Sequence, residues 1–426
     1  MVRVGLTYAL GLMSLPNLLL AEPSKVSLDQ GPSGAWQLIR NGEPYAINGA
    51  GGFTNLKLLR DLGGNTIRTW GVGQLGLTES GKLLLDECNE LGLTALVGLW
   101  VNHPRHGHDY DDEAMLQAQR DRIRSAVQKY RDHPALLMWG LGNEMEGDGD
   151  DPRVWQELEV LARIIKEEDP EHPVCTVLAG SYNNKVAKML EHYTSLDVLG
   201  INIYAGAETV PASLADQGWD RPYLLTEFGP VGHWEVPMTD WEAPLEPTSV
   251  EKSESYAAAH TVQMEAAPGR CLGTFCFIWG QKQETTATWF SMFLPTGEKT
   301  PVVDTMSRIW TGQEPTNRSP FVSSLRSDLR EVVVAPSSLW QVSAEVLDPD
   351  GDPLDFEWQI VAETNDRKFG GDAESAPPTI PDCVMENHGS HAQIRVPSAP
   401  GPYRVFLYVR DGKGGGASGN FPFLVQ

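Results

Sequence analysis

Between about positions 45 and 310 the chain repeats one rhythm: a short apolar, β-branched or aromatic run, a polar loop, then a stretch whose apolar positions recur at helical spacing. Such alternation predicts a parallel sheet with crossover helices. The apolar runs place strands at roughly 45–52, 65–72, 94–101, 135–144, 174–179, 198–204, 222–229 and 271–280. Helical segments fall between them, among them 55–62, 81–91, 114–131, 154–168 and 184–192. The fourth is opened by Asp151 and Pro152, residue types suited to the N-cap and first helical position. Eight βα units in about 270 residues is the size of a TIM barrel, whose site lies at the carboxyl ends of the strands.

Past Trp310 the pattern changes. Residues 313–330 have linker composition, and the runs that follow alternate with period two: WQVSAEVLD (340–348), LDFEWQI (354–360), AQIRVP (392–397) and YRVFLYVRD (403–411). No helix-length periodicity interrupts them. Short strands between Pro and Gly turns predict a small antiparallel sandwich. The expected fold is therefore α/β, a (β/α)8 TIM barrel at 23–312 followed by an immunoglobulin-like all-β sandwich at 331–426.

The amino end reads differently again. Arg3 precedes an uncharged stretch, 4–21, that gives way to small and polar residues, so 1–22 is read as a secretory signal peptide and the protein as secreted, periplasmic or cell-surface. An uncleaved anchor is the competing reading, but Pro16 and Asn17 interrupt a stretch already near the minimum for spanning. No other segment is apolar for long enough to cross a bilayer.

A formal charge of −24 argues against nucleic acid or an anionic membrane as partner and leaves neutral polysaccharide as one candidate. The 41% hydrophobic content, with 13 tryptophans, supplies a large aromatic-rich core. Cys88, Cys175, Cys271, Cys276 and Cys383 are odd in number and lack metal-type spacing, which speaks against both zinc and a disulfide scaffold. Cys271 and Cys276 sit at an odd offset in one predicted strand and face opposite ways. They are read as buried thiols, and neither a metal nor a cofactor is expected.

The chemistry concentrates in two glutamates, each at the end of an apolar run: Glu144 in WGLGNEME (139–146) and Glu227 in PYLLTEFGP (222–230). Their separation of 83 residues fits three βα units, placing them on the fourth and seventh strands, which face each other across a barrel mouth. Cleaving a sugar bond needs such a pair in unequal surroundings, one carrying a proton to the leaving oxygen and the other ionised at the anomeric carbon. Taken alone, Glu144 reads first as a helix-capping acid, and Glu146 is its local rival. The repeat of the arrangement at a second strand end favours catalysis.

DHPALLMWGLGNE (132–144) together with YLLTEFG (223–229) resembles the retaining β-glycosidases of glycoside hydrolase clan A, in particular the family 2 barrel domain. The resemblance spans about 36–310. It implies Glu144 as acid/base, Glu227 as nucleophile and Asn143 as partner of the sugar 2-hydroxyl. It further implies Arg68 in NTIRTWG (65–71) and Tyr204 in GINIYAG (200–206) as groups holding the nucleophile, and Trp279 in CFIWG (276–280) as the platform on which the sugar stacks. His103 is either a site-lining histidine of the same kind or a solvated loop residue, with His106 and His108 beside it. Trp70, Trp100, Trp234, Trp241 and Trp289 are further candidate platforms, and the long stretch 229–256, which contains Trp234, reads as a cleft-shaping loop.

Family 2 barrels normally follow large β-domains, whereas only about 40 residues precede the first predicted strand, which suits endo-action on a polymer or transglycosylation of β-glucan. AEVLDPDGDPLDFEW (344–358) with YVRDGKGG (408–415) resembles cadherin-like or PKD-like modules, with an architectural or adhesive role. Asp348, Asp350 and Asp352 lack EF-hand spacing and read as a polar turn. The expected function is a secreted, metal-independent retaining β-glycoside hydrolase acting on a β-linked poly- or oligosaccharide. The alternatives are a β-glucan transglycosylase using the same site and a non-catalytic carbohydrate-binding or adhesion protein.

Overall fold

The computed structural model describes residues 22–266, 268–368 and 370–426, so all of the predicted signal peptide but Glu22 lies outside the described residues. Three short antiparallel strands come first: β1 (Val26–Gln30), β2 (Trp36–Arg40) and β3 (Glu43–Pro44). Val26 and Leu38 from this sheet pack with Leu96, Met138, Val198 and Leu272 in one apolar cluster. The sheet thereby plugs the end of the barrel at which the strands begin.

Eight parallel strands follow: β4 (Ile47–Gly51), β5 (Thr66–Arg68), β6 (Thr94–Leu99), β7 (Leu136–Asn143), β8 (Val174–Ala179), β9 (Val198–Asn202), β10 (Tyr223–Phe228) and β11 (Cys271–Phe277). The last pairs back onto the first, from Gly273 opposite Ile47 to Phe277 opposite Gly51, and closes the barrel. Each lies within one of the eight predicted runs. β7 shows why the runs are so apolar: all eight of its residues are buried, because helices cover one face and the barrel interior the other.

The crossover helices are α1 (Leu56–Asp61), α2 (Leu84–Leu91), α3 (Glu113–Tyr130), α4 (Pro152–Glu168), α5 (Lys185–Leu190), α6 (Val210–Asp216), α7 (Ser249–Ala266) and α8 (Pro301–Thr311). The cap expected for α4 is present: the Asp151 carboxylate accepts the Arg153 amide, with Pro152 at the first position. Asp112 caps α3 in the same way, accepting from Ala114 and Met115. The stretch 229–256 is not all loop, since α7 begins at Ser249. All five cysteines are free and buried. Among the described residues no helix is long and apolar enough to cross a membrane.

The carboxyl module consists of β12 (Phe321–Arg326), β13 (Val333–Val334), β14 (Leu339–Leu347), β15 (Asp355–Ala362), β16 (Thr379–Ile380), β17 (Val384–Asn387), β18 (His391–Arg395), β19 (Gly401–Arg410) and β20 (Gly416–Val425). They form a four-stranded sheet, β12-β14-β18-β17, and a five-stranded one, β13-β20-β19-β15-β16, around a shared core that includes Val322, Val342, Trp358, Ile360, Leu407 and Phe423. One boundary needs correction: β12 lies inside the stretch read as linker and pairs with β14. Its turn-like Ser, Arg and Pro neighbours hid an edge strand that buries only Val322 and Leu325, three apart across an irregularity in its pairing with β14.

The module is docked on the barrel through polar groups that burial makes obligatory. Arg404, 1% exposed, donates to both carboxylate oxygens of Glu363, to Asn420 and to the Pro244 carbonyl of the barrel. Glu246 of the barrel answers from the other side, accepting from Lys252, Thr286, Thr288 and Asn420. Lys299 exchanges backbone hydrogen bonds with Gly414 and Gly416. Removing one partner of a buried pair strands the other charge. Arg404→Ala is therefore expected to destabilise the protein by about 3–5 kcal/mol in urea unfolding. Arg326→Ala, whose pair with Glu345 is well exposed at 68% and 56%, should cost under about 1 kcal/mol. Equal costs would show that the buried bonds of Arg404, to Glu363 within the module and to the Pro244 carbonyl of the barrel, do not hold the module.

Candidate active site

The carboxyl end of the barrel gathers Arg68 from the end of β5, Asn143 from the end of β7, Glu144 directly after it, Asn202 from the end of β9, Tyr204 just beyond, and Glu227 from β10. Arg68 is 1% exposed and lies at the centre. One guanidinium nitrogen donates to Glu227 Oε1 at 2.7 Å and to the Thr226 carbonyl at 2.9 Å, and the other to Asn143 Oδ1 at 2.6 Å. Trp70 Nε1 adds a second bond to Glu227 Oε1 at 2.9 Å, while the Tyr204 hydroxyl donates to Oε2 at 2.8 Å. Glu227 thus accepts three side-chain donors, one of them a cation.

Glu144 sits in different surroundings. Its one side-chain partner is Asn202, whose Nδ2 donates at 2.7 Å and also reaches Asn143 Oδ1 at 3.2 Å. Thr226 Oγ1 donates to Asn202 Oδ1 at 2.8 Å, which fixes the amide with its nitrogen toward the glutamate. Burial, then the charge of Glu227, raises the Glu144 carboxyl to about 7 from an ordinary value near 4.5, against the opposing Asn202 bond. The two carboxylates are therefore joined through Asn202, Asn143 and Arg68, yet one accepts three side-chain donors and the other a single amide. Glu144 also adopts a left-handed backbone, φ 53°, two residues after Gly142 at φ 72°, while its amide still bonds the Val177 carbonyl of β8. A non-glycine residue there stores on the order of 1–3 kcal/mol, and the bend turns the side chain into the mouth rather than along β7.

Tyr204 stays a donor, because burial and then the Glu227 charge push its phenol well above the usual value. His103 is 2% exposed and is not a solvated loop residue. Its ring lies 5.2 Å from Trp100 and 5.4 Å from His106, and burial, with help from Arg105, lowers it to about 4, so it is neutral near pH 7. Trp234 is 52% exposed at the rim, its ring 5.8 Å from that of Tyr204.

Two expectations do not hold. Trp279 is not a platform: it is fully buried, with its ring 5.2 Å from Phe293 and 6.1 Å from Trp310 in the barrel core. Its backbone amide bonds Gly51, which turns the ring outward between barrel and helices. Trp289 is also core. Phe277 takes the place near the site, in edge contact with both Trp70 and Tyr204 at 5.9 Å. Glu146, the rival, is a structural anchor, accepting from the Ala179 amide and from the buried Lys185.

Sequence reasoning missed Asn202 and undervalued Trp70. The signal for Asn202 was present, since it lies two residues before Tyr204 in GINIY and thus shares its side of the strand. Away from the mouth, Asp348, Asp352 and Asp411 of the carboxyl module bring carboxylate oxygens within 4.8 Å of one another, although Asp348 also closes the polar turn expected there by accepting from the amides of Asp350 and Asp352.

Residues 71–232 match the sequence model of the glycosyl hydrolases family 2 TIM barrel domain. Over 224 residues, 46% of this chain and 36% of the relative, the chain is 24% identical to a beta-glucuronidase of Streptococcus agalactiae. A 64-residue stretch, 15% of this chain and 6% of the relative, is 39% identical to a beta-galactosidase of Klebsiella pneumoniae. Among solved structures, the beta-D-glucuronidase of Dictyoglomus thermophilum superposes with a TM-score of 0.52 at 16% identity, over 68% of this chain and 54% of that one. The beta-galacturonidase of Eisenbergiella tayi bound to galacturonate gives 0.50 with the same identity and coverage. The chain thus spans little more than half of these structures and about a third of the streptococcal enzyme. Its barrel is a TIM barrel similar, from 71 to 232, to that of glycosyl hydrolases family 2.

Proposed function

We propose that the protein is a retaining β-glycoside hydrolase acting on a β-linked oligo- or polysaccharide, with Glu227 as nucleophile and Glu144 as acid/base. The observation that carries the reading is the unequal treatment of the two carboxyls: one bound by a buried guanidinium and two further donors, the other raised toward neutrality. The names of the relatives, a beta-glucuronidase and a beta-galactosidase, point the same way and put β-linked uronic acid and hexose sugars first among substrates to try.

In the first step protonated Glu144 gives its proton to the glycosidic oxygen as Glu227 attacks C1, and the aglycone leaves. Arg68, Trp70 and Tyr204 aim the attacking oxygens. In the second step ionised Glu144 takes a proton from water, which attacks C1, breaks the ester to Glu227 and restores both groups. A sugar hydroxyl in place of that water makes the same site a transglycosylase. Asn143, with its side-chain oxygen held by Arg68, presents its amide nitrogen for a sugar hydroxyl. Trp234, exposed at the rim, offers a flat face to a pyranose. Export to the cell exterior belongs to the same proposal and is supported by Arg3 and the uncharged stretch after it.

Three outcomes test the reading. On a panel of aryl β-glycosides, Glu227→Gln should lose at least about 10³-fold in kcat, and equal activity would remove Glu227 from the mechanism. The pH profile of kcat/KM should fall as pH rises through about 7, where Glu144 loses its proton, and Glu144→Gln should abolish that limb. A limb that survives the substitution assigns it to another group. The same shift bears on stability. Because Glu144 is raised in the folded state, its stabilising share is complete below about pH 4 and lost as pH climbs to 7. Glu144→Gln should therefore raise Tm above pH 7 and leave it unchanged near pH 4, and a gain that does not depend on pH would contradict the assignment.

A further inference from the structure

The barrel mouth is not made by the barrel alone. The loop between β15 and β16, described at 363–368 and 370–378, leaves the carboxyl module and is tied to three separate βα loops. Beyond β6, Arg105 and His106 grip Asp372, the imidazole nitrogen at 3.1 Å and the guanidinium at 3.6 Å, and Arg105 also reaches the Gly370 carbonyl at 3.4 Å. Beyond β10, the Glu242 carbonyl accepts from Arg367 at 2.8 Å. Beyond β11, the Thr285 amide donates to Glu374 at 2.6 Å.

The centre of the loop is a tight knuckle. Gly370 and Gly371 have φ of 63° and 73°, and a Cβ on them would stand 2.8 Å from the Arg105 guanidinium and 3.0 Å from Lys282 Nζ respectively. Two consecutive glycines thus allow the backbone to lodge between cationic groups from opposite sides of the rim. From there the contacts run inward. Lys282 Nζ lies 5.5 Å from the centre of the Phe277 ring, which abuts both Trp70 and Tyr204, the two aromatic donors to Glu227. On the other side His106 is stacked on Trp100, next to buried His103.

We propose that residues 370–374 of this loop are a wall of the substrate cleft, so that a glycan extending from the catalytic pair runs against Gly370, Gly371 and the clasp of Asp372 with Arg105 and His106. This deepens the glycosidase reading and rests on it. The carboxyl module is then a determinant of chain length and not an appendage.

The test uses the full chain with residues 366–374 replaced by Gly-Ser-Gly-Ser, and separately Asp372→Ala, which leaves the loop backbone intact. One readout needs no substrate: quenching of tryptophan fluorescence by iodide should increase in the shortened variant, because the loop's Asp372 holds His106, which is stacked on Trp100. Unchanged quenching overturns the wall. The second readout is the ratio of kcat/KM on a β-linked tetrasaccharide to kcat/KM on the aryl glycoside of the same sugar. It should fall five-fold or more in the shortened variant and by a smaller factor in Asp372→Ala. A ratio that stays constant, whether both activities hold or both decline together, means that the loop only supports the fold and overturns the proposal. Failure of the glycosidase reading would appear separately, as wild-type activity in Glu227→Gln, and leaves the quenching result standing as evidence on the loop.

Discussion

The site depends on one buried cation. Taking a guanidinium out of water is costly unless it finds a counter-charge and acceptors, and Arg68 finds them in Glu227, Asn143 and the Thr226 carbonyl. Those same bonds set the positions of both carboxyls, since Asn143 and Asn202 connect Arg68 to Glu144. Two acids facing one mouth would otherwise compete for a single proton with no preferred holder. The guanidinium breaks that symmetry by bonding Glu227 directly and Glu144 only by way of two asparagines, while burial and then the Glu227 charge raise Glu144. Specificity of protonation is thus built from the end of β5, the strand with the fewest residues in the barrel.

The remainder of the molecule can be understood as support for that arrangement. The small amino-terminal sheet closes one end of the barrel and leaves the other for chemistry. The bend at Gly142 and Glu144 turns a side chain that would have followed β7 into the mouth, at a cost in backbone strain that the fully buried β7 sustains. The carboxyl module, docked through Arg404 and Glu246, brings a loop across the rim from outside the barrel.

Much of this was legible in the sequence because it rests on short-range rules. Continuous apolar runs such as 135–144 mark strands buried on both faces, and the Asp151-Pro152 pair marks the start of α4. Glu144, Glu227, Arg68, Asn143 and Tyr204 come together as their strand-end positions suggested. What failed depends on long-range packing. Trp279 ends an aromatic run and looked like a platform, but the bond of its amide to Gly51 turns the ring into the core, a fact no local pattern carries. β12 was hidden in turn-rich composition because its two buried residues, Val322 and Leu325, are three apart across a pairing irregularity and break the period-two pattern of a strand. The clasp of Asp372 with His106 joins residues 266 positions apart and has no sequence signature at all.

The central claim is a division of labour between two glutamates, and trapping the intermediate tests it most directly. Incubating the protein with 2-deoxy-2-fluoro-β-glycosides of the glucose, galactose and glucuronic acid series, followed by peptide mass spectrometry, should place a stable glycosyl adduct on the peptide carrying Glu227 and none on that carrying Glu144. An adduct on Glu144, or turnover of the parent β-glycoside that releases the inverted anomer with no adduct formed, would contradict the account.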